Sequence, residues 1–575
     1  MIVLGLSGAV SHDPSAALFV DGELVAAVEE ERFLRDKHAK GKFPYESARF
    51  CLEFAGIQPQ QVDVVAFPYA HIGLFNSLAR WHFARRYWYA PDRALTALFN
   101  GNRRYRRNLA RLRQLCDDLG IGANRVRIEM VEHHLAHASS AYHLSGFKEK
   151  TAIVGIDGKG EYATTFFGVG ENGRITQRKA FYDPDSLGGF YAAMTEYLGF
   201  EMFDGEFKVM GMAPYGDPTR HDLSRLLRHG PRGFSVNTRL INVIGMRRHK
   251  EDGRNFYFSP KLIEWLGPRR VGDEIDDPYV DYAASVQKLL EDAALELIEH
   301  HVGDVLRETG RIVFAGGVAL NVKLNQRIVA MPGVRELFVQ PAANDAGTAI
   351  GAASYVAARA GARIAPMRHA YLGPRYSNEQ CIAACEAHGS QPEWERLADT
   401  TRVASELLTA GHPLAWFQGR MEFGPRALGN RSILGVPSVP GIADRINAQI
   451  KYRERWRPFC PSVLDRVAPQ MLGTDHPAPF MTITFDVADG WAERVPEVVH
   501  EDGTARAQVV TRDTNPRYYE LLERIEAATG NGVLLNTSLN RRGEPMVCSP
   551  TDALNMFFGS DLQYLIMEDI LVRKP

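Results

Sequence analysis

The sequence predicts an α/β protein of two domains, the first built by duplication. Three observations carry this. The chain has 575 residues, more than one hydrophobic core organises, so two or three domains are expected. A strand–turn–hairpin unit near the start recurs about 150 residues later. A glycine- and proline-containing stretch, ARIAPMRHAYLGPRYS around 362–376, reads as a linker, so the domains are placed at 1–365 and 366–575.

Composition sets the class. Apolar residues make up 45% and charged residues 24%, as in soluble globular proteins. A net charge of −2 and a pI near 6.8 exclude a general polyanion binder. No apolar run reaches the roughly 18 residues of a membrane span. MIVLGLSGAVSHD lacks a basic leader and reads as a strand rather than a signal peptide. Six cysteines in so long a chain are no disulfide framework; Cys381 and Cys385, i and i+4, have nothing nearby to complete a metal site. Reduced thiols and a cytoplasmic location are expected.

The repeated unit comes first. Residues 2–7 and 16–20 read as strands around the polar turn SHDPS. Asp21-Gly22 marks a tight turn before a third strand at Leu24–Val28. Val3-Leu4-Gly5-Leu6-Ser7-Gly8 matches Ile153-Val154-Gly155-Ile156-Asp157-Gly158, and thirteen residues after each final glycine stands an acidic residue, Asp21 and Glu171. Two such halves are the plan of the actin-like, sugar-kinase-like nucleotide-binding fold, whose glycine-rich turns face phosphates.

Between the halves, residues 80–113 carry ten arginines against one acid, Asp92, with Trp81, Tyr87, Trp88 and Tyr89 interleaved. They read as an Arg-rich helical pair inserted near 80–118. It is either a solvated face or a face for an anionic acceptor or partner.

The densest chemistry lies in EHHLAHASSA, Glu132 to Ala141. His133 and His137 are i, i+4 and share one helix face. Ala136, Ala138 and Ala141 are small enough to let a ligand approach that helix. Asp157 ends the next strand as a candidate third metal ligand. Lys208, between glycines in GEFKVMGMAPYG, is a candidate phosphate contact. Residues 282–307 form a long amphipathic helix. The strand Arg311–Ala315 runs into Gly316-Gly317 and then Asn321, a turn whose N–H groups suit a phosphate or adenosine. Beyond a strand at Leu337–Gln340, Asp345 stands at a helix start, either as its cap or as a fourth metal ligand.

In the second domain, FQGRMEFGPRALGNRS places Arg420, Arg426 and Arg431 among glycines. KYRERWRPFCPS supplies Lys451, Arg453, Arg455 and Arg457. Arg506, Asn536-Thr537-Ser538 and the turn Gly543–Pro545 follow. Guanidinium groups on rigid turns suit bidentate phosphate recognition.

HHLAHASSA, DGKGE, KVMGMAPYG, GGVALN, NDAGTAIGAA, GRMEFGPRALGNRS, WRPFCPS and NTSLN followed by GEP occur in that order. Together they closely resemble the O-carbamoyltransferases of the nodulation and antibiotic-tailoring type, the NodU/CmcH family, over nearly the whole chain. The resemblance implies an actin-like N-terminal domain, similar to tRNA threonylcarbamoyl-transfer enzymes, and a YrdC-like C-terminal domain. It implies that carbamoyl phosphate and ATP, with Mg, give carbamoyl-AMP and pyrophosphate in the second domain. The adenylate then moves inside the protein to a metal site in the first, where an acceptor hydroxyl takes the carbamoyl group and AMP leaves.

By the same resemblance, His133, His137, Asp157 and Asp345 match ligands of a divalent metal, iron or zinc. His12 matches a base-like histidine and Lys37 a nearby ligand-binding lysine. Lys208, Gly316, Gly317 and Asn321 match nucleotide-binding loops. Arg426, Lys451, Arg457, Arg506 and Ser538 match the carbamoyl-phosphate and ATP contacts. Glu206-Phe207 before Lys208 depart from a more compact Gly-Lys pairing. The acceptor is expected to be a small hydroxyl compound, a sugar or other natural product or a lipid-linked glycan, with no nucleic acid; a homo-oligomer is left open. The alternatives are a tRNA threonylcarbamoyl-type transferase, a sugar-kinase-like phosphotransferase and a non-catalytic nucleotide-binding protein.

Overall fold

The structure is a computed structural model and describes residues 1–10, 12–73, 78–454 and 456–574. The chain packs as two units, one of residues 1–25 and 55–366, the other of 26–54 and 367–575. The main division falls between residues 366 and 367. Residues 26–54, expected in the first domain, pack with the second unit instead. Buried Glu29 and Arg32 explain this: Glu29 accepts from the Gly424 amide at 2.8 Å, and Arg32 donates to the Gly424 carbonyl at 3.0 Å.

The first unit contains two five-stranded mixed sheets of identical topology. In the first, β1 (Ile2–Leu6), β2 (Ser15–Val20), β3 (Glu23–Glu29), β4 (Val64–Phe67) and β5 (Arg127–Met130) lie in the order β3-β2-β1-β4-β5. In the second, β6 (Thr151–Ile156), β7 (Ala163–Glu171), β8 (Arg174–Tyr182), β9 (Arg311–Ala315) and β10 (Glu336–Val339) lie as β8-β7-β6-β9-β10. β1 pairs antiparallel with β2 and parallel with β4; β6 does the same with β7 and β9. The repeat read from the sequence is therefore a repeat of topology. Its central strands are near-continuous apolar runs, as burial on both faces requires.

The two hairpins differ by one residue. The first turns on Asp21 and Gly22, both at positive φ, the second on Asn172 and Gly173. Glu171, expected to open the second turn, instead ends β7. That strand carries register shifts at Ala163/Thr165 and Phe167/Gly168, the signature of a bulge that absorbs extra length.

The Arg-rich insertion forms three helices rather than a pair: α1 (Leu78–Arg86), α2 (Pro91–Asn100) and α3 (Arg103–Asp118). The later helices are α4 (His133–Tyr142), α5 (Glu206–Met212), α6 (Tyr279–Thr309), α7 (Val322–Val329) and α8 (Thr348–Arg359). The 31-residue α6 stops at Gly310, left-handed at φ 73°, whose amide returns to the Leu306 carbonyl. α4 and α8 pack at backbone distance. A Cβ on Gly351 would stand 1.8 Å from the Ala136 carbonyl oxygen, and one on Gly5 would stand 2.0 Å from that of Ala349.

The second unit holds an eight-stranded mixed sheet. Its strands are β11 (Glu393–Arg396), β12 (Leu414–Phe417), β13 (Arg431–Gly435), β14 (Cys460–Leu464), β15 (Gln508–Val510), β16 (Val533–Ser538), β17 (Tyr564–Met567) and β18 (Ile570–Arg573). They lie in the order β11-β18-β17-β12-β13-β16-β14-β15. Among the described residues of either unit, no helix is long and apolar enough to cross a membrane.

Candidate metal centre and cationic site

The metal centre lies in the first unit, where elements from both halves of the repeat meet. α4 begins at His133 because its first amides are satisfied by carboxyl groups. Glu132 caps the Leu135 N–H at 2.6 Å, and buried Glu161 accepts from the His133 amide at 3.2 Å and from the Ala70 amide at 2.6 Å. Acids at a helix N-terminus also suit its dipole. One helical turn then brings the rings of His133 and His137 together edge to face, their Nε2 atoms 3.2 Å apart.

Asp157 follows β6, and its carboxylate is held by backbone. Oδ1 accepts from the Gly317 amide at 2.9 Å and Oδ2 from the Lys159 amide at 3.2 Å. This explains the glycine pair. A Cβ on Gly316, at φ 91°, would meet the Ile156 carbonyl oxygen at 2.3 Å, and one on Gly317 would meet Asp157 Oδ1 at 3.0 Å. The expected phosphate-facing turn is therefore also the clamp that aims Asp157.

Asp345 is the first residue of its helical turn, after the cap position Asn344. Its Oδ1 lies 3.4 Å from His133 Nε2 and 3.5 Å from His137 Nε2, while Asp157 Oδ2 lies 3.7 Å from His133 Nε2. All four side chains are buried, and one ligand atom from each falls within 4.8 Å of every other. Two imidazole nitrogens and two carboxylates fit zinc or iron. His133 Nδ1 faces the Pro68 carbonyl oxygen at 3.3 Å, the second contact that turns Nε2 toward a cation.

The charges fit the same reading. Burial disfavours an ionised His133, but Asp345 and Asp157 outweigh it and hold the ring's pKa well above the ordinary value. Burial likewise opposes ionisation of Asp345, yet the His133 and His12 rings draw its pKa down to about 2. Neighbouring His134 is buried with neither ring nitrogen hydrogen-bonded, and burial lowers its pKa to about 4.

The small residues of α4 serve packing rather than ligand approach. Ala138 and Ala141 lie in a core with Ile153, Phe166 and Val313, and Ala136 receives Gly351 of α8.

His12 joins the rim of this centre. Its Nδ1 lies 3.2 Å from Asp13 Oδ2 and its Nε2 3.8 Å from Asp345 Oδ2. Burial opposes its protonation, but Asp345 and Asp13 together raise its pKa to about 9. Sequence reasoning missed Phe203, whose ring packs on His12 with centroids 4.5 Å apart and whose backbone sits at φ 75°. That is a rare conformation for a bulky residue, and no sequence pattern announces it.

Two expected nucleotide contacts stand differently. Lys208, expected in a loop, lies on α5 over the Phe200 ring. Asn321 caps α7 through the Leu324 amide and exchanges hydrogen bonds with Gln287.

The second unit gathers its own cluster. Glu422 accepts from the amides of Leu428, Asn430 and Arg431, shaping the loop that presents Arg426. Lys451 ends a π-helical turn and donates to Ser538 and Asn540. Arg506 donates through Nε and Nη2 to Cys460 Sγ, at 3.0 and 2.8 Å. Burial, then Arg506 and Arg457, lower the Arg426 pKa to about 9. Burial, Arg453, Arg457 and Lys37 hold Lys451 well below its ordinary value. Lys37 lies in the second unit, and its charge is among those acting on Lys451. Cations that depress one another favour an anion among them.

Arg420 and Arg431, grouped with Arg426 in the sequence, are structural. Arg431 is buried over the Phe417 ring and donates to the Gln418 carbonyl; Arg420 donates to the Gly373 carbonyl and sits over Phe54. Arg455 lies outside the described residues.

Comparison with known proteins matches the chain in two parts. Residues 2–354 match the carbamoyltransferase N-terminus and residues 405–574 the carbamoyltransferase C-terminus. The nodulation protein NolNO of Sinorhizobium fredii is 37% identical, over all of this chain and 83% of its own length. NolO of Bradyrhizobium diazoefficiens is 38% identical over 77% of this chain and 79% of its own. Among solved structures, full-length HypF in its phosphate- and nucleotide-bound form aligns with 62% of this chain and 55% of its own, at 12% identity and a TM-score of 0.30. Matched in both its N-terminal and its C-terminal part, and over all its length by a nodulation relative, the chain belongs to the carbamoyltransferase family as an enzyme of the nodulation-protein type.

Proposed function

We propose that the protein is an ATP-dependent O-carbamoyltransferase with an actin-like first unit and a YrdC-like second unit. Carbamoyl phosphate loses its phosphate to water in the second unit. The carbamate oxygen attacks the α-phosphate of ATP, carried with Mg, and pyrophosphate leaves. The acceptor hydroxyl then attacks the carbamoyl carbon of carbamoyl-AMP in the first unit, and AMP leaves.

The observation that carries this reading is the convergence of His133, His137, Asp157 and Asp345 within 4.8 Å. These residues would hold the divalent ion, iron or zinc, which when bound supplies Lewis-acid polarisation of a carbonyl. His12 is assigned the acceptor's proton. A cation held by Asp345 would cancel the charge that keeps His12 protonated, and Asp13, engaging Nδ1, would then leave Nε2 to take that proton. Phe203 packs the ring in place.

Arg426, Lys451, Arg457, Arg506 and Ser538 are assigned to the phosphates of carbamoyl phosphate and ATP. Fixed cations there replace water around phosphate charge, and the depression of both Arg426 and Lys451 by burial and by neighbouring cations, Arg457 common to both, supports an anionic occupant. Lys37 is assigned to the same ligand, because its charge acts on Lys451. The Gly316–Gly317 turn, Asn321 and Lys208 are assigned to the nucleotide in the first unit. The acceptor is a small hydroxyl compound.

The test is product analysis with ATP and carbamoyl phosphate. The reading expects pyrophosphate that depends on carbamoyl phosphate. ADP as product would make the protein a kinase instead, and no turnover would overturn the reading.

A further inference from the structure

The Arg-rich insertion is not used by the chemistry above, and its surface is unusual. Twelve large hydrophobic side chains are exposed among the described residues, and five of them lie between positions 78 and 99: Leu78 (78%), Trp81 (61%), Trp88 (70%), Leu95 (54%) and Phe99 (75%). The helices are not short of a core. Ala79, Phe83, Tyr87 and Ala97 pack inward with Tyr162, so Leu78, Trp81 and Arg85, at i, i+3 and i+7, form a separate outer stripe of α1. Leu95 and Phe99, i and i+4, do the same on α2.

The charge on this segment has one sign. Ten arginines face one acid over residues 80–113. Arg86 is occupied, bonded to Asp185 at 2.8 Å, and Arg80 is buried against the Leu98 carbonyl. Arg85, Arg103 and Arg107 are exposed and make no ion pair with any described residue.

We propose that the outer face of α1 and α2 docks the protein on an anionic lipid surface. Exposed indole, phenyl and leucyl groups together with unpaired arginines, Arg85 on α1 and Arg103 and Arg107 on the following α3, are what an interfacial segment presents to headgroups and acyl chains. Tryptophan suits that boundary, with an apolar body and a polar N–H. A second copy of the chain fits less well, because a two-fold interface sets a patch against itself and would oppose arginine to arginine. A nucleic acid would use the arginines but leave Leu78, Leu95 and Phe99 without a partner. The docked face and the metal centre are joined by short chain: Tyr162, in the core under α1, is five residues beyond Asp157. The inference stands independently of the carbamoyl chemistry.

The test is co-sedimentation of the full chain with vesicles of phosphatidylcholine alone and of phosphatidylcholine mixed with phosphatidylglycerol. Binding is expected to the mixed vesicles only, and to weaken as salt is raised. Arg85→Gln should lower partitioning roughly fivefold, the effect of one arginine near an anionic surface. The triple variant Trp81→Ser, Trp88→Ser, Phe99→Ser should abolish it. Both variants should keep wild-type melting and carbamoyl-phosphate-dependent pyrophosphate release, which shows them folded. Equal binding to both vesicle types, or binding to neither, overturns the proposal. So does self-association in sedimentation velocity that the triple variant removes.

Discussion

Gly351→Ala sets helix propensity directly against packing. Gly351 lies inside α8, where alanine is intrinsically better by about 1 kcal/mol. The structure opposes this. The new Cβ would stand 1.8 Å from the Ala136 carbonyl oxygen, against 3.4 Å for an ordinary contact, and 3.1 Å from Ser140 Cβ. That oxygen belongs to the backbone of α4, so the two helices must separate by roughly 1–2 Å at this crossing, a disturbance of the kind that costs about 1–3 kcal/mol in a filled core. Ala136 lies between His133 and His137, so the shift also moves both rings against Asp157 and Asp345, where about 0.5 Å matters. The expected result is a lower melting temperature, with bound metal and acceptor carbamoylation reduced together. Pyrophosphate release, assigned to the second unit, should persist. A Gly351→Ala protein that melts higher than wild type and keeps its full metal content would refute the packing argument.

Arg457→Ala should lower carbamoyl-phosphate-dependent pyrophosphate release at least about tenfold, since a charged hydrogen bond contributes about 1.5–3 kcal/mol; metal content by elemental analysis should not change. His12→Asn should slow transfer from supplied carbamoyl-AMP by roughly 10²–10⁴, as for a lost general base, while carbamoyl-AMP formation continues. Burial, with Glu132, raises the Glu161 carboxyl to about 8 from 4.5. The fold therefore holds a proton there that the unfolded chain gives up, and stability drains as pH rises between those values, by at most about 1.4 kcal/mol per pH unit. Glu161→Gln should flatten that decline in thermal melts, and an unchanged slope would remove Glu161 as its source.

Much of the candidate metal centre was legible because it rests on spacing. His133 and His137 needed only a helix, and the duplicated strand put Asp157 at the end of β6. Asp345 was ambiguous for a physical reason: an acid at a helix start has the same local signature whether it caps or ligates, and only the fold brings α4 beside it. The glycines were read for their conformation but not for their neighbour, since Gly317 clamps an aspartate 160 positions earlier. Arginine in glycine-rich turns proved a poor discriminator. Arg426 faces other cations, whereas Arg431 lies buried over Phe417. Residues 26–54 lie within the stretch that matches the N-terminal family model yet pack with the second unit, because the Glu29 and Arg32 contacts that hold them there span nearly 400 positions. Phe203 had no signal at all; its strained backbone is a property of the folded turn.

The central claim is that carbamoyl transfer occurs at the His/Asp centre and adenylate formation elsewhere. His137→Ala tests it most directly, with metal by elemental analysis and both half-reactions measured on the same preparation. Its ring is buried and its Nε2 lies 3.5 Å from Asp345 Oδ1, so the variant should lose bound metal and acceptor carbamoylation while pyrophosphate release dependent on carbamoyl phosphate continues at the wild-type rate. Full metal content in the variant, or pyrophosphate release lost in parallel with transfer, would contradict the account.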